Sequence, residues 1–160
     1  MKLVKHTGGR FVFQLTTREQ RLFMGVTGLY PVIPAGARKL VRQIGSAQSA
    51  QIDESQHLLE EALAEQRGAN QRHLAEFLGD PQRVHTTKSY TRLTFAAAEM
   101  EWLLQVLNDI RVGSWMHLGS PDYEAEKRLQ VTEENVQHYW AREMAGAFQS
   151  VLLAAMDASQ

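Results

Sequence analysis

The sequence predicts a mostly α, formally α+β, fold: a helical bundle with a small N-terminal β-hairpin. Three observations carry this. Residues 2–6 and 10–15 alternate apolar and polar side chains around Thr7-Gly8-Gly9, the pattern of two strands joined by a tight turn. Met100, Leu103, Leu104, Leu107 and Ile110 recur at helical spacing, as do Val136, Tyr139, Trp140, Ala147, Phe148, Val151, Leu152 and Ala155. The chain also has the length of one domain and needs no disulfide or metal to hold its core. We expect residues 1–160 to form a single domain, with 1–16 as hairpin and 17–160 as helical bundle.

Taken in order, an isolated hairpin is marginal in water, so one face of the first must pack on helices. Thr17 offers a hydroxyl N-cap with Gln20 three residues on, and Leu22, Phe23, Val26 and Leu29 follow at helical spacing. That helix should stop by Tyr30, because Pro31 disfavours helical geometry in the residue before it. Residues 31–36 read as a connector, 37–44 as a brief helix and 45–51 (GSAQSAQ) as the most linker-like stretch. An acidic amphipathic helix follows through Leu58, Leu59 and Leu63, interrupted near Gly68, then another through Leu74 and Phe77 to Gly79. Residues 82–89 read as a polar loop, and 90–93 as a short strand or extended lead-in. Thr94 is expected to cap the clearest helix, ending near Leu118. Gly119-Ser120-Pro121 then leads into a short acidic turn, and Thr132 opens the last helix. No internal repeat is apparent.

Composition excludes several classes. Cysteine is absent, so thiol catalysis, disulfides and cysteine-held metals are ruled out. No run approaches the ~18 to 20 apolar residues of a membrane span, and the N-terminus lacks a signal-peptide core, so a cytoplasmic location without membrane attachment is expected. Charge is uneven: residues 1–45 hold eight basic residues and one acid, against nine basic and seventeen acidic residues in the remainder. Either the halves neutralise each other by packing, or the first carries a basic binding surface.

No reactive constellation stands out. Glu54 and His57 have the spacing of half a di-iron site, but Glu134 and His138 miss it by one residue, so no metal or cofactor is expected. Ser114 sits in mid-helix, not on a nucleophile elbow, and no glycine-rich loop cradles phosphate. No catalytic residue is assigned and an enzyme is not favoured. In the segment from Trp102 to Gly119, Asn108 and Arg111 share a face with Glu101, Leu104 and Trp115, while Asp109 points elsewhere. Asparagine is a poor helix-interior residue, so Asn108 implies either a buried hydrogen bond or a polar patch that receives a ligand or partner. The last helix is apolar around more of its girth than one packing face requires, which suggests a central position or a homodimer interface.

The run from Trp102 to Gly113 (WLLQVLNDIRVG), with Leu118-Gly119 behind it, resembles the hallmark of an uncharacterised bacterial family described only as a domain of unknown function and typical of actinobacteria. Gly8-Gly9-Arg10-Phe11 and Thr17-Arg18-Glu19 are similar to that family's opening. The likeness covers residues 5–30 and 90–119 and does not extend over 32–88. Genes of the family often lie beside that of the N-end-rule adaptor of the Clp protease, which implies an accessory role in regulated proteolysis, and some members carry a transcriptional-regulator label. Asn108, Asp109 and Arg111 match its most characteristic positions.

The leading expectation is a cytoplasmic protein-interaction or regulatory module with a protein partner, contacted through Asn108, Asp109, Arg111 and Trp115. The first alternative is a small-ligand binder or enzyme using the patch around Asn108 and Arg111. The second is nucleic-acid binding through the basic N-terminal region, which the near-neutral net charge disfavours.

Overall fold

The computed structural model describes residues 1–32 and 49–158. β1 (Lys2–Thr7) and β2 (Arg10–Thr16) form the expected hairpin. Thr7 pairs with Arg10, so Gly8 and Gly9 alone make the turn, at φ of 57° and 72°. Two successive positive φ angles are what a type I′ turn requires, and glycine adopts them without a Cβ clash.

The hairpin is half of a larger sheet. β3 (Val84–Thr86) and β4 (Tyr90–Ala96) complete four antiparallel strands in the order β1-β2-β4-β3. The polar stretch 82–89 therefore contains a strand, and Thr94 lies within β4 rather than capping a helix. Five helices accompany the sheet among the described residues: α1 (Thr17–Thr27), α2 (Ser49–Gly79), α3 (Ala97–His117), α4 (Tyr123–Lys127) and α5 (Val136–Asp157). α2 is one continuous helix, since a lone Gly68 costs only about 1 kcal/mol relative to alanine and Leu74 and Phe77 anchor the turns that follow. The expected helix at 37–44 lies outside the described residues. So does the first part of the linker-like stretch, and Ser49–Gln51 already belong to α2.

The architecture is an internal duplication. β1–β2–α1 and β3–β4–α3 are the same ββα unit displaced by 80 residues. Lys5 pairs with Val12 as His85 pairs with Arg92. The turn Thr7-Gly8-Gly9-Arg10 corresponds to Thr87-Lys88-Ser89-Tyr90, whose Thr87 N–H donates to the Tyr90 carbonyl at 2.8 Å. The two units meet along β2 and β4, where Phe13 opposes Leu93 at the centre and Arg10–Ala96 and Thr16–Tyr90 close the two ends. A repeat was not apparent in the sequence because Val4/Val84, Thr7/Thr87, Glu19/Glu99 and Val26/Val106 are the sole identities over residues 2–30.

One of those identities has a local reason. The N-cap of α1 is Thr16, one residue before the expected Thr17. Its hydroxyl accepts the Glu19 N–H at 3.2 Å, while the Glu19 carboxylate accepts the Thr16 N–H at 2.8 Å. In the second unit alanine occupies the cap, and Glu99 alone takes the Ala96 N–H at 2.6 Å. Each carboxylate also meets a cation from the start of its own hairpin: the Met1 ammonium for Glu19, and Arg83, at 2.5 Å, for Glu99. Glu at this position thus ties helix, strand and hairpin edge together.

The inner face of the sheet presents Phe11, Phe13, Leu15, Leu93 and Phe95, all buried. Phe77 of α2 stacks on Phe95 at 4.6 Å, and Phe23 of α1 meets Phe148 of α5 edge-on at 5.3 Å. α5 lies against α3 and buries Ala141, Ala145 and Leu152 in the shared core. It begins at Val136, after the turn in which Asn135 Oδ1 accepts the Thr132 N–H at 2.8 Å. The helical class with a small sheet agrees with the sequence; the extent of the sheet does not.

Replacing Glu99 by alanine removes both the cap of α3 and the partner of Arg83. It should lower unfolding free energy by about 1–2 kcal/mol, measured by urea denaturation, and Glu99→Gln should recover part of the loss by keeping the cap.

Candidate functional site

The four residues singled out in α3 divide between different surroundings. Asn108 and Asp109 line a pocket of about 440 Å³ between α2 and α3, together with Leu63, Gln66, Arg67, Asn70, Leu104 and Gln105. Asn70 organises its floor: its amide nitrogen donates to the Tyr30 hydroxyl at 3.3 Å and its oxygen accepts the Trp102 Nε1–H at 3.1 Å. The Tyr30 hydroxyl donates to Asp109 at 3.3 Å. Burial first, with the Asp109 carboxylate adding to it, raises the Tyr30 pKa above the ordinary tyrosine value, while Asn70 opposes the shift. Tyr30 therefore stays a neutral donor.

Arg111 is elsewhere. Its guanidinium donates to Gln149 Oε1 at 2.8 Å, and the Gln149 amide donates to the Leu104 carbonyl at 3.0 Å. Gly146 lies alongside it, where a Cβ would sit in ordinary contact, 3.4 Å from Arg111 Nε. This is a latch between α3 and α5 on a glutamine that is 8% exposed. Trp115 is partly exposed, and its indole donates to the Pro121 carbonyl at 3.0 Å, fixing the chain as it leaves α3. The patch expected around Asn108 and Arg111 is thus a pocket holding Asn108 and Asp109 beside α2, and two structural contacts made by Arg111 and Trp115.

A second feature joins α3 and α5. His117 and His138 stack in parallel at 4.1 Å, and the buried His138 Nδ1 has no hydrogen-bond partner. Burial first, then the neighbouring His117 ring, push the His138 pKa below the ordinary histidine value. His57 lies 3.5 Å from Glu61, both exposed, and no three potential metal ligands gather among the described residues.

The sequence reading missed the open face of the sheet. Strand register sets Lys2, Gln14, Arg92 and His85 in one row across all four strands, then Lys5, Val12 and Thr94 in the next, with Arg10 beyond. Lys2, Lys5, Arg10, His85 and Arg92 are all exposed. A register shift between Leu3 and Lys5 brings both lysines to this side; without that bulge the alternation of a strand would turn Lys5 towards the core. The Arg92 guanidinium lies over the Tyr90 ring at 4.9 Å. No residue of the four strands is acidic, and no described carboxylate pairs with Lys2, Lys5, Arg10 or Arg92. The strands thus carry a formal charge of +4 on a chain whose net charge is −1.

A third surface lies between α1 and α5, a groove of about 710 Å³ lined by Thr16, Arg18, Glu19, Leu22, Trp140 and Met144. Trp140 is 54% exposed and Leu22 37%. No described helix is long and apolar enough to cross a membrane. No family model matches the chain, and no curated protein and no solved structure matches it either.

Two outcomes check these assignments. Arg111→Ala removes the donor to Gln149 Oε1 and should cost about 1–2 kcal/mol in urea denaturation, whereas Asn108→Ala, on the pocket rim, should stay within about 0.5 kcal/mol of the parent. Because the folded-state pKa of His138 is depressed, the unfolded chain binds more protons. Stability is then complete above the unfolded value near 6.5 and falls as pH drops towards the folded one. Thermal melts at descending pH should show this loss, and His138→Asn should flatten it.

Proposed function

We propose that the protein binds single-stranded nucleic acid on the open face of its sheet. The observation that carries this reading is the in-register cation array, Lys2 and Arg92 in one row with Lys5 and Arg10 beyond, on four strands without a carboxylate. Cations attract phosphates at long range, and release of condensed counterions drives the binding. A four-stranded sheet is about 14 Å across at a strand spacing of about 4.8 Å, wide enough for an extended strand rather than a duplex groove. Gln14 and Thr94 supply hydrogen-bonding groups between the cations, and the Arg92 guanidinium, backed by the Tyr90 ring, offers a flat surface for a base. The near-neutral net charge, which weighs against nucleic acid when the chain is averaged, counts for less once the cations share a face and the acids lie off the strands.

A second reading, the interaction or regulatory module, is favoured by the exposed Trp140 in the α1–α5 groove. An aromatic anchor in an apolar groove is the usual centre of a protein contact.

Fluorescence anisotropy with labelled single-stranded oligonucleotides tests the first reading. Binding should weaken with salt at a logarithmic slope of about −2 to −3, near 0.7 per phosphate for four contacts. A Lys5→Ala/Arg92→Ala variant should lose about tenfold or more in affinity and show a shallower slope, and Arg128→Ala should change neither. Absence of binding at low salt, or indifference to the double variant, would overturn the reading.

A further inference from the structure

The duplication gives the α1–α5 groove a counterpart, and the counterpart is filled. Leu22 of α1 corresponds to Trp102 of α3 at the 80-residue displacement. Trp102 is covered by α2: its indole donates to Asn70, the His73 ring meets it edge-on at 4.3 Å, and Phe77 lies 6.2 Å away. No described helix covers Leu22, which is left beside Trp140 and Met144.

The same helix that fills the one site leaves two leucines uncovered nearer its start. α2 is 31 residues, about 46 Å at 1.5 Å per residue. Its C-terminal half is anchored by Leu74 and Phe77, but Leu58 and Leu59 remain 61% and 47% exposed. The surface around them is acidic, with Glu54, Glu61 and Glu65 exposed. The groove has the opposite character. Arg18 lines it and Arg21 lies one turn along α1, both exposed, while Glu19 is taken up by the cap and the Met1 ammonium.

We infer that the groove is occupied by the first half of α2 from a second copy of this chain, with Leu58 and Leu59 seated against Leu22, Trp140 and Met144, and the glutamates facing Arg18 and Arg21. Each copy lends one helix and one groove, so the contact is two-fold and self-complementary. Two equivalent contacts per dimer hold more than either would alone. This goes beyond the nucleic-acid reading and uses a different surface, so either can fail alone.

Sedimentation equilibrium of the full chain at roughly 100 µM, a range where weak dimers populate, should give about 36 kDa, twice the 18.1 kDa chain. Leu58→Asp/Leu59→Asp and Trp140→Ala, all at exposed positions, should each shift the mass to that of a monomer, with circular dichroism unchanged. Mixing the two variants should restore part of the dimer, because one of the two contacts is intact in the mixed pair. Lys5→Ala/Arg92→Ala should remain dimeric. Since the chain has no cysteine, a Leu59→Cys variant mixed with a Met144→Cys variant should form a disulfide-linked heterodimer on oxidation in preference to either homodimer. A monomeric parent, a dimer that survives either variant, or cross-linking without preference for the mixed pair would overturn the inference.

Discussion

The pairing of β2 with β4 is the constraint on which the rest of this structure depends. It joins two ββα units into one sheet and places α1 and α3 on the same side of it. The five buried apolar residues those two strands contribute, Phe11, Phe13, Leu15, Leu93 and Phe95, all face the helices as a consequence. A one-residue slip in this ladder would turn the aromatic stripe to solvent and the cations inward, so the hydrophobic face and the basic face are fixed together. The direction of the cation array is therefore a by-product of core packing, and it costs no separate stabilisation.

Much of the helical part was legible in the sequence. The periodicity in α3 and α5 marked both helices, and Gly8-Gly9 between alternating segments marked the first hairpin. The second hairpin was not legible, because its turn is Lys88-Ser89, which lacks the glycine signal, and β3 is three residues long. Missing it hid the sheet, the duplication and the gathering of Arg92 and His85 beside Lys2, Lys5 and Arg10. The shift of helix starts from Thr17 to Thr16 and from Thr94 to Ala96 has a related cause. The decisive cap is the glutamate at the third helical residue, which accepts a backbone N–H whether or not a hydroxyl precedes it.

The candidate residues of α3 were legible as unusual but not as to role. A polar side chain on a helix between two others can face either neighbour, and sequence spacing does not say which is present. Arg111 meets Gln149 from α5, and Asp109 meets Tyr30, whose partner Asn70 comes from α2. Both relations span elements far apart in the chain. Asn108, a poor helix-interior residue, makes none of these bonds and stands at the edge of the α2–α3 pocket.

The duplication also bears on how the chain reaches its native state. Each hairpin closes through a two-residue turn, an event of microseconds for an isolated segment. The seam between them joins residues about 80 positions apart, and closing a loop of that length costs about 4 kcal/mol of chain entropy before the ladder returns anything. The costly event is then the meeting of the two hairpins, each marginal on its own. Until it happens, β2 and β4 are each an unpaired edge with a greasy face, the state in which this molecule is most exposed to aggregation.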